Sequence, residues 1–337
     1  MKAFMVISLA ACAALLLLGA FRQGGRTEAD SARAVPAEIL VPDTATMVRA
    51  WDFPRNPARD SVKGDKSFVE EVRLGFRLFT NTPRVAPGLA GGDMSCNQCH
   101  PNGGQREKFM PLVGIAGVFP EYNKRAGRMF SLEDRIIGCF RRSLNSDGAR
   151  TPAARPLTPQ SREVAAIAAY IGWLSQNVSH EQTLGWRGHN VIAKDRLIPI
   201  GRLDPRRGRE IFLDRCSNCH GVNGQGVEIG DKKPGPLWGP RSWNDGAGAA
   251  RTYTLAGIIR YAMPYLDPGS LSDEEAQQIA AYITAMPRPV YGGKKEDYLK
   301  EKIPEDAVYY KQIYQTNPLT KRLGGNRVKT NERSEDR

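Results

Sequence analysis

The feature that most limits what this chain can fold into is a five-residue pattern that occurs twice, as CNQCH at 96–100 and CSNCH at 216–220. In C-x-x-C-H, two thiols are spaced to form thioethers with the vinyl groups of one haem, and the next histidine comes under its iron as proximal ligand. Cys96, Cys99, Cys216 and Cys219 are therefore the expected attachment residues of two covalently bound haem c groups, with His100 and His220 as iron ligands. C-x-x-C is also a zinc spacing. Two copies with His directly after each, in a chain that carries an export signal, favour haem.

That signal is at the N-terminus: Met1-Lys2, an uncharged stretch from Ala3 to Phe21, then Arg22 and Arg26. The stretch exceeds what a signal peptide needs and just reaches the length of a membrane span. Cleavage after Ala20 and retention as an anchor both stay open, since Leu18 disfavours cleavage while the arginines on the exported side oppose an anchor. The string LAAC ending at Cys12 lies too early in the apolar stretch for a lipoprotein site. The expected location is the periplasm, soluble or tethered to the cytoplasmic membrane. A net charge of +12 favours anionic partners. No nucleic acid is expected among them, because no basic run interleaved with aromatics is present.

The remaining sequence reads as two tandem domains. Residues 22–45 are polar and punctuated, as a tether would be. Phe68, Val69, Val72, Phe76 and Phe79 form an apolar face on a helix starting near Asp65 and ending before Thr82-Pro83. Ser131 is an expected N-cap, and a third helix is predicted over about 158–177. The second half repeats the order: GREIFLDRCSNCH answers GFRLF and CNQCH, TLAGIIRYAM answers SLEDRIIGC, and Ser272 opens a last helix to about Ala285. The expectation is a mainly α protein of two tandem class I cytochrome c-like domains with loop-rich haem pockets, 46–185 and 186–290. An extension over the folded body and a charged, disordered tail fill 291–337.

The sixth iron ligand separates the two halves. Met263, just ahead of the final helix, has the position of a class I methionine ligand, which raises the potential; Met286, at the end of that helix, does not. The corresponding place in the first half holds Cys139, the one cysteine outside the export segment and the two motifs. It is open whether Cys139 ligates iron or is a buried inert thiol, with Met110 and Met129 as competing ligands. Arg135 and Arg142 lie four residues before and three after Cys139, on one helical face, where they could depress a thiol pKa and hold an oxyanion, or bind haem propionates instead. His180 and His189 read as surface or packing residues.

The segments CNQCH, DRIIGCFRRSLN, GREIFLDRCSNCH, AMPY and PRPVYGGKKEDY resemble the dihaem thiosulfate dehydrogenases, periplasmic cytochromes that couple two thiosulfates into tetrathionate. The resemblance covers roughly residues 68–310. It implies that Cys139 ligates haem 1, that Met263 ligates haem 2, and that substrate sulfur meets the Cys139 side. Some members pair a lysine with that methionine; here Ala262 precedes it, so no such switch is expected. The implied partners are thiosulfate or a related sulfur oxyanion and an external acceptor such as a cytochrome c. A substrate-free electron carrier and a haem-thiolate cytochrome acting on another sulfur compound are the competing readings.

Overall fold

The computed structural model describes residues 40–41, 51–148, 156–176, 184–230 and 232–324. The export segment 1–21 with Cys12, most of the tether, His180 and the tail beyond 324 lie outside the described residues. The described residues belong to one compact unit.

Each half is organised around a crossing of two helices. In the first, α1 (Lys66–Thr80) packs on α3 (Arg162–Leu174); in the second, α4 (Pro205–Arg215) packs on α6 (Asp273–Ala285). Local chemistry sets where these helices begin. Asp65 caps α1 by accepting from the Phe68 N–H at 2.8 Å, and Ser272 opens α6 in a capping box with Glu275. Of the remaining long helices, α2 (Leu132–Arg142) contains Cys139 and α5 (Thr252–Ala262) is C-capped by Met263.

The two crossings repeat one another closely. A Cβ at Gly75 would lie 1.9 Å from the Ala166 carbonyl oxygen, and one at Gly208 would lie 1.9 Å from that of Gln278. Glycine at each crossing lets the backbones meet. One turn later Phe79 meets Tyr170, and Phe212 meets Tyr282, both pairs at 5.5 Å between ring centroids and 57° between planes. The sequence correspondence of GFRLF with GREIF is thus a correspondence in space. The buried side chains of both halves join in one continuous core that includes Val72, Leu78, Ile167, Leu174, Phe212 and Ile279.

Three expectations shift. Phe68, expected on the core face of α1, is 36% exposed and rests against Gly64, while Val69 beside it packs against the core. The third helix begins at Arg162, since the Thr158 N–H donates to the Ser161 hydroxyl in a preceding turn. Val41, at the end of the expected tether, is buried, and its backbone bonds to Gln105 and Glu107.

The small sheet is a hairpin of β1 (Glu121–Asn123) and β2 (Arg128–Phe130) just before α2. Beyond Met286 the chain lies over the folded body as a strap, Tyr291–Tyr310. It ends in α7 (Pro318–Gly324), whose Arg322 donates to the Ile200 and Leu203 carbonyls at 2.9 Å. No helix among the described residues is long and apolar enough to cross a membrane.

Candidate functional site

The first attachment segment is a single helical turn, Cys96–Cys99, opened by a capping box in which the Ser95 N–H donates to Gln98 Oε1 at 2.7 Å. His100 leaves the turn, and its Nδ1 lies 2.6 Å from the Met110 carbonyl oxygen. A carbonyl can only accept, so Nδ1 carries the proton and Nε2 keeps its lone pair for a metal. Burial, with the positive charge of Arg135 adding to it, pulls the His100 pKa down to about 4. The imidazole is therefore neutral, the form able to ligate a metal. Asn102 and Gly103 take left-handed backbone angles, and Tyr170 from α3 donates to the Gly103 carbonyl at 2.8 Å, tying the loop to the core.

The second segment follows α4 directly. Cys216 caps that helix, Ser217–His220 makes one turn, and the Gly221 φ of 71° reverses the chain. Burial pulls His220 down to about 4 as well. The Pro234 carbonyl opposes this shift, and His220 Nδ1 is buried without a hydrogen-bond partner.

Cys139 lies three residues before the end of α2, half-buried. Its sulfur is close to the first attachment site: burial pushes the Cys96 and Cys99 thiols up, Cys99 to about 12, and after burial the largest contribution in both is Cys139. The structure therefore brings Cys96, Cys99, His100, Arg135 and Cys139 together. The competing methionines are placed otherwise. Met110 gives its carbonyl to the His100 ring and packs beside Phe109, while Met129 is 52% exposed on β2.

The two arginines beside Cys139 differ sharply. Arg135 is exposed, and its side chain makes no ion pair with a described residue. Arg142 forms a two-pronged ion pair with Asp297, at 2.7 and 2.8 Å, donates to the Gly246 carbonyl at 3.1 Å and lies 4.1 Å over the Tyr291 ring. Burial opposes its charge, but Asp297 outweighs burial and holds it charged. The expectation that Arg142 offers its guanidinium to an oxyanion is corrected here, since both prongs are committed. Asp297, Tyr291 and Tyr310 escaped the sequence reading; the one hint was an aromatic, charged segment with no period.

Met263 stands at the C-cap of α5 in extended backbone, half-buried between the main core and the cluster of Phe109, Ile258 and Ala262. His189 is exposed.

The donor set fits c-type haem. Besides two neutral imidazoles and two thiol pairs, Trp173 Nε1, Trp243 Nε1 and Arg288 Nη1 are buried without a hydrogen-bond partner. Arg288 lies 5.0 Å from the Trp243 ring, so two of these donors are adjacent. Buried donors need acceptors, and a haem brings carboxylates as well as iron.

Comparison with known proteins agrees. The family described as "SoxA/TsdA, cytochrome c domain" matches residues 90–179, and "Cytochrome C oxidase, cbb3-type, subunit III" matches 203–283. The chain is 34% identical over 252 residues to a thiosulfate dehydrogenase of Psychrobacter arcticus, covering 74% of this chain and 72% of that one. It is 36% identical over 234 residues to one of Allochromatium vinosum, covering 67% and 82%. A solved structure, thiosulfate dehydrogenase (TsdBA) from Marichromatium purpuratum, superposes with a TM-score of 0.61 at 34% identity. That match covers 68% of this chain and 48% of the solved one, about half its length. With two matched cytochrome c domains, each bearing a covalently bound haem c, the chain belongs to the thiosulfate dehydrogenase family.

Proposed function

We propose that this protein joins two thiosulfates through one new sulfur–sulfur bond, giving tetrathionate and releasing two electrons and no proton. The observation that carries the reading is the position of Cys139, close enough to Cys96 and Cys99 to act on both thiols, while Met110 meets His100 through its backbone carbonyl and Met129 is exposed on β2. In this reading Cys139 ligates the first iron and meets the outer sulfur of the substrate, and Met263 ligates the second. The haems supply iron couples that take the electrons singly.

Arg135 is the group that receives the substrate charge. Two dianions brought to about 4 Å repel by roughly 4 kcal/mol in water and by several times that beside protein, counting four unit-charge pairs. An unpaired guanidinium at the pocket offsets part of that cost. Arg142 serves by holding α2 rather than by touching substrate.

Residues 46–185 form the catalytic half in this reading, and 186–290 the half through which electrons leave to an external acceptor such as a cytochrome c. The protein works in the periplasm, with residues 1–21 as signal or anchor. The decisive experiment compares wild type with Cys139→Ala as holoproteins. A low-spin thiolate resonance from haem 1, lost in the variant together with thiosulfate-dependent ferricyanide reduction, is expected. Its absence from wild type, or undiminished turnover in the variant, returns the protein to the class of electron carriers.

A further inference from the structure

A cysteine side chain has one torsion between backbone and sulfur, so the sulfur of Cys139 goes where α2 puts it. What fixes α2 is therefore part of the site. The helix is held at both ends by the strap Tyr291–Tyr310, which arrives from the far end of the chain. At the C-terminal turn, Asp297 of the strap grips both prongs of Arg142 and also accepts from the Tyr310 hydroxyl at 2.5 Å. Ahead of the N-terminus, the Tyr298 N–H donates to the Arg125 carbonyl at 2.7 Å and Lys300 Nζ to that of Gly127 at 3.1 Å, both in the turn of the hairpin leading into α2. Arg125 and Arg142 both donate to the Gly246 carbonyl, which joins the two grips.

The strap is in turn fastened to the second half. Its Tyr291 N–H donates to Asp245 at 2.7 Å, Lys294 pairs with the same carboxylate, and Asp306 takes Arg251 at 2.7 Å and the Tyr253 N–H at 3.1 Å. Asp245, Asp297 and Asp306 are each at most 6% exposed. Surface ion pairs contribute little, whereas breaking a buried one by removing one partner is costly.

The geometry points to Arg142, Asp297 and Tyr310 as positioning residues: the strap, anchored on the second half, sets the placement of the Cys139 sulfur at haem 1. This rests on the reading of Cys139 as the haem 1 ligand.

The test uses Asp297→Asn and Tyr310→Phe holoproteins, with three readouts besides activity: hydrogen exchange of the 132–142 amides, the low-spin resonance of haem 1, and the two haem potentials. In Asp297→Asn the α2 amides are expected to exchange at least about tenfold faster. The haem 1 resonance is expected to broaden or shift and the haem 1 potential to move, with haem 2 unchanged. Tyr310→Phe, losing one hydrogen bond, moves the same readouts less, and it decides the matter if Asp297→Asn yields no folded holoprotein. Unchanged α2 exchange and an unchanged haem 1 signature, with only a lower unfolding temperature, overturn the proposal. A wild type lacking the thiolate resonance defeats the Cys139 reading instead, and hydrogen exchange then still decides whether the strap holds α2.

Discussion

Alanine at Gly75 tests whether the helix crossings carry the fold. The added methyl would sit 1.9 Å from the Ala166 carbonyl oxygen and 2.9 Å from Tyr170 Cβ. An ordinary carbon–oxygen approach is about 3.3 Å or more, so α1 must retreat from α3 by roughly 1.4 Å at the crossing. No side-chain torsion can relieve this, because the obstacle is backbone. Overpacking typically costs about 1–3 kcal/mol, and this site belongs at the upper end; alanine returns about 1 kcal/mol through helix propensity. The net expectation is a loss of about 2 kcal/mol. In Gly208→Ala the obstacles are Gln278 oxygen at 1.9 Å and Tyr282 Cβ at 3.0 Å, so the loss should match. Gly172 in α3 meets nothing within 4 Å, and its alanine variant should gain up to about 1 kcal/mol. Denaturant unfolding of the three holoproteins, followed by haem absorbance and far-UV circular dichroism, gives the order. A Gly75→Ala midpoint at or above that of Gly172→Ala refutes the argument.

Two further outcomes follow from single groups. Arg135→Gln should raise KM for thiosulfate about tenfold, equivalent to about 1.4 kcal/mol of binding, and leave the unfolding midpoint unchanged because no ion pair is broken; an unchanged KM would remove Arg135 from the site. The Glu275 carboxylate is held below its ordinary value of 4.5, first by the Ser272 N–H and then by its hydroxyl. A lowered pKa means that this carboxylate stabilises the fold above its ordinary range and loses that effect as pH falls through the lowered value. Glu275→Gln should therefore unfold earlier than wild type near neutral pH, with the gap closing as acid titrates the carboxylate. A gap that persists in acid, measured by denaturant midpoints, would contradict the assignment.

Much of the scaffold was legible because it depends on neighbours in sequence. Asp65, Ser131 and Ser272 cap helices through hydrogen bonds three residues away, and C-x-x-C-H keeps attachment and ligation within one turn. The duplication was legible because Gly75 and Gly208 recur at matching distances from Phe79 and Phe212. What escaped depends on contacts between remote segments. Arg142 and Asp297 are 155 residues apart, and the strap has no apolar period because its hold is made by buried aspartates and backbone carbonyls. The spacing places Arg135 and Arg142 within one turn of Cys139, yet the sequence could not say that Arg142 is already occupied by a remote carboxylate. The carbonyl of Met110, which orients His100, leaves no trace in residue type at all.

The two halves resolve one geometric problem in different ways. On the histidine side each uses the same device, a glycine-mediated helix crossing with a phenylalanine–tyrosine contact. On the other side they diverge in step with the chemistry of their sulfur. Methionine is unbranched, with three rotatable bonds, so its sulfur can find a position even from imprecise backbone. Met263 accordingly sits just past a helix end, in extended backbone between two apolar clusters. Cysteine has no such reach. Cys139 lies within α2, and the structure secures that helix before its first turn and at its last. Under the proposed ligation a short sulfur donor demands a fixed backbone, and the strap, fastened by buried carboxylates, adds a hold at both ends of this eleven-residue helix to its packing on α3.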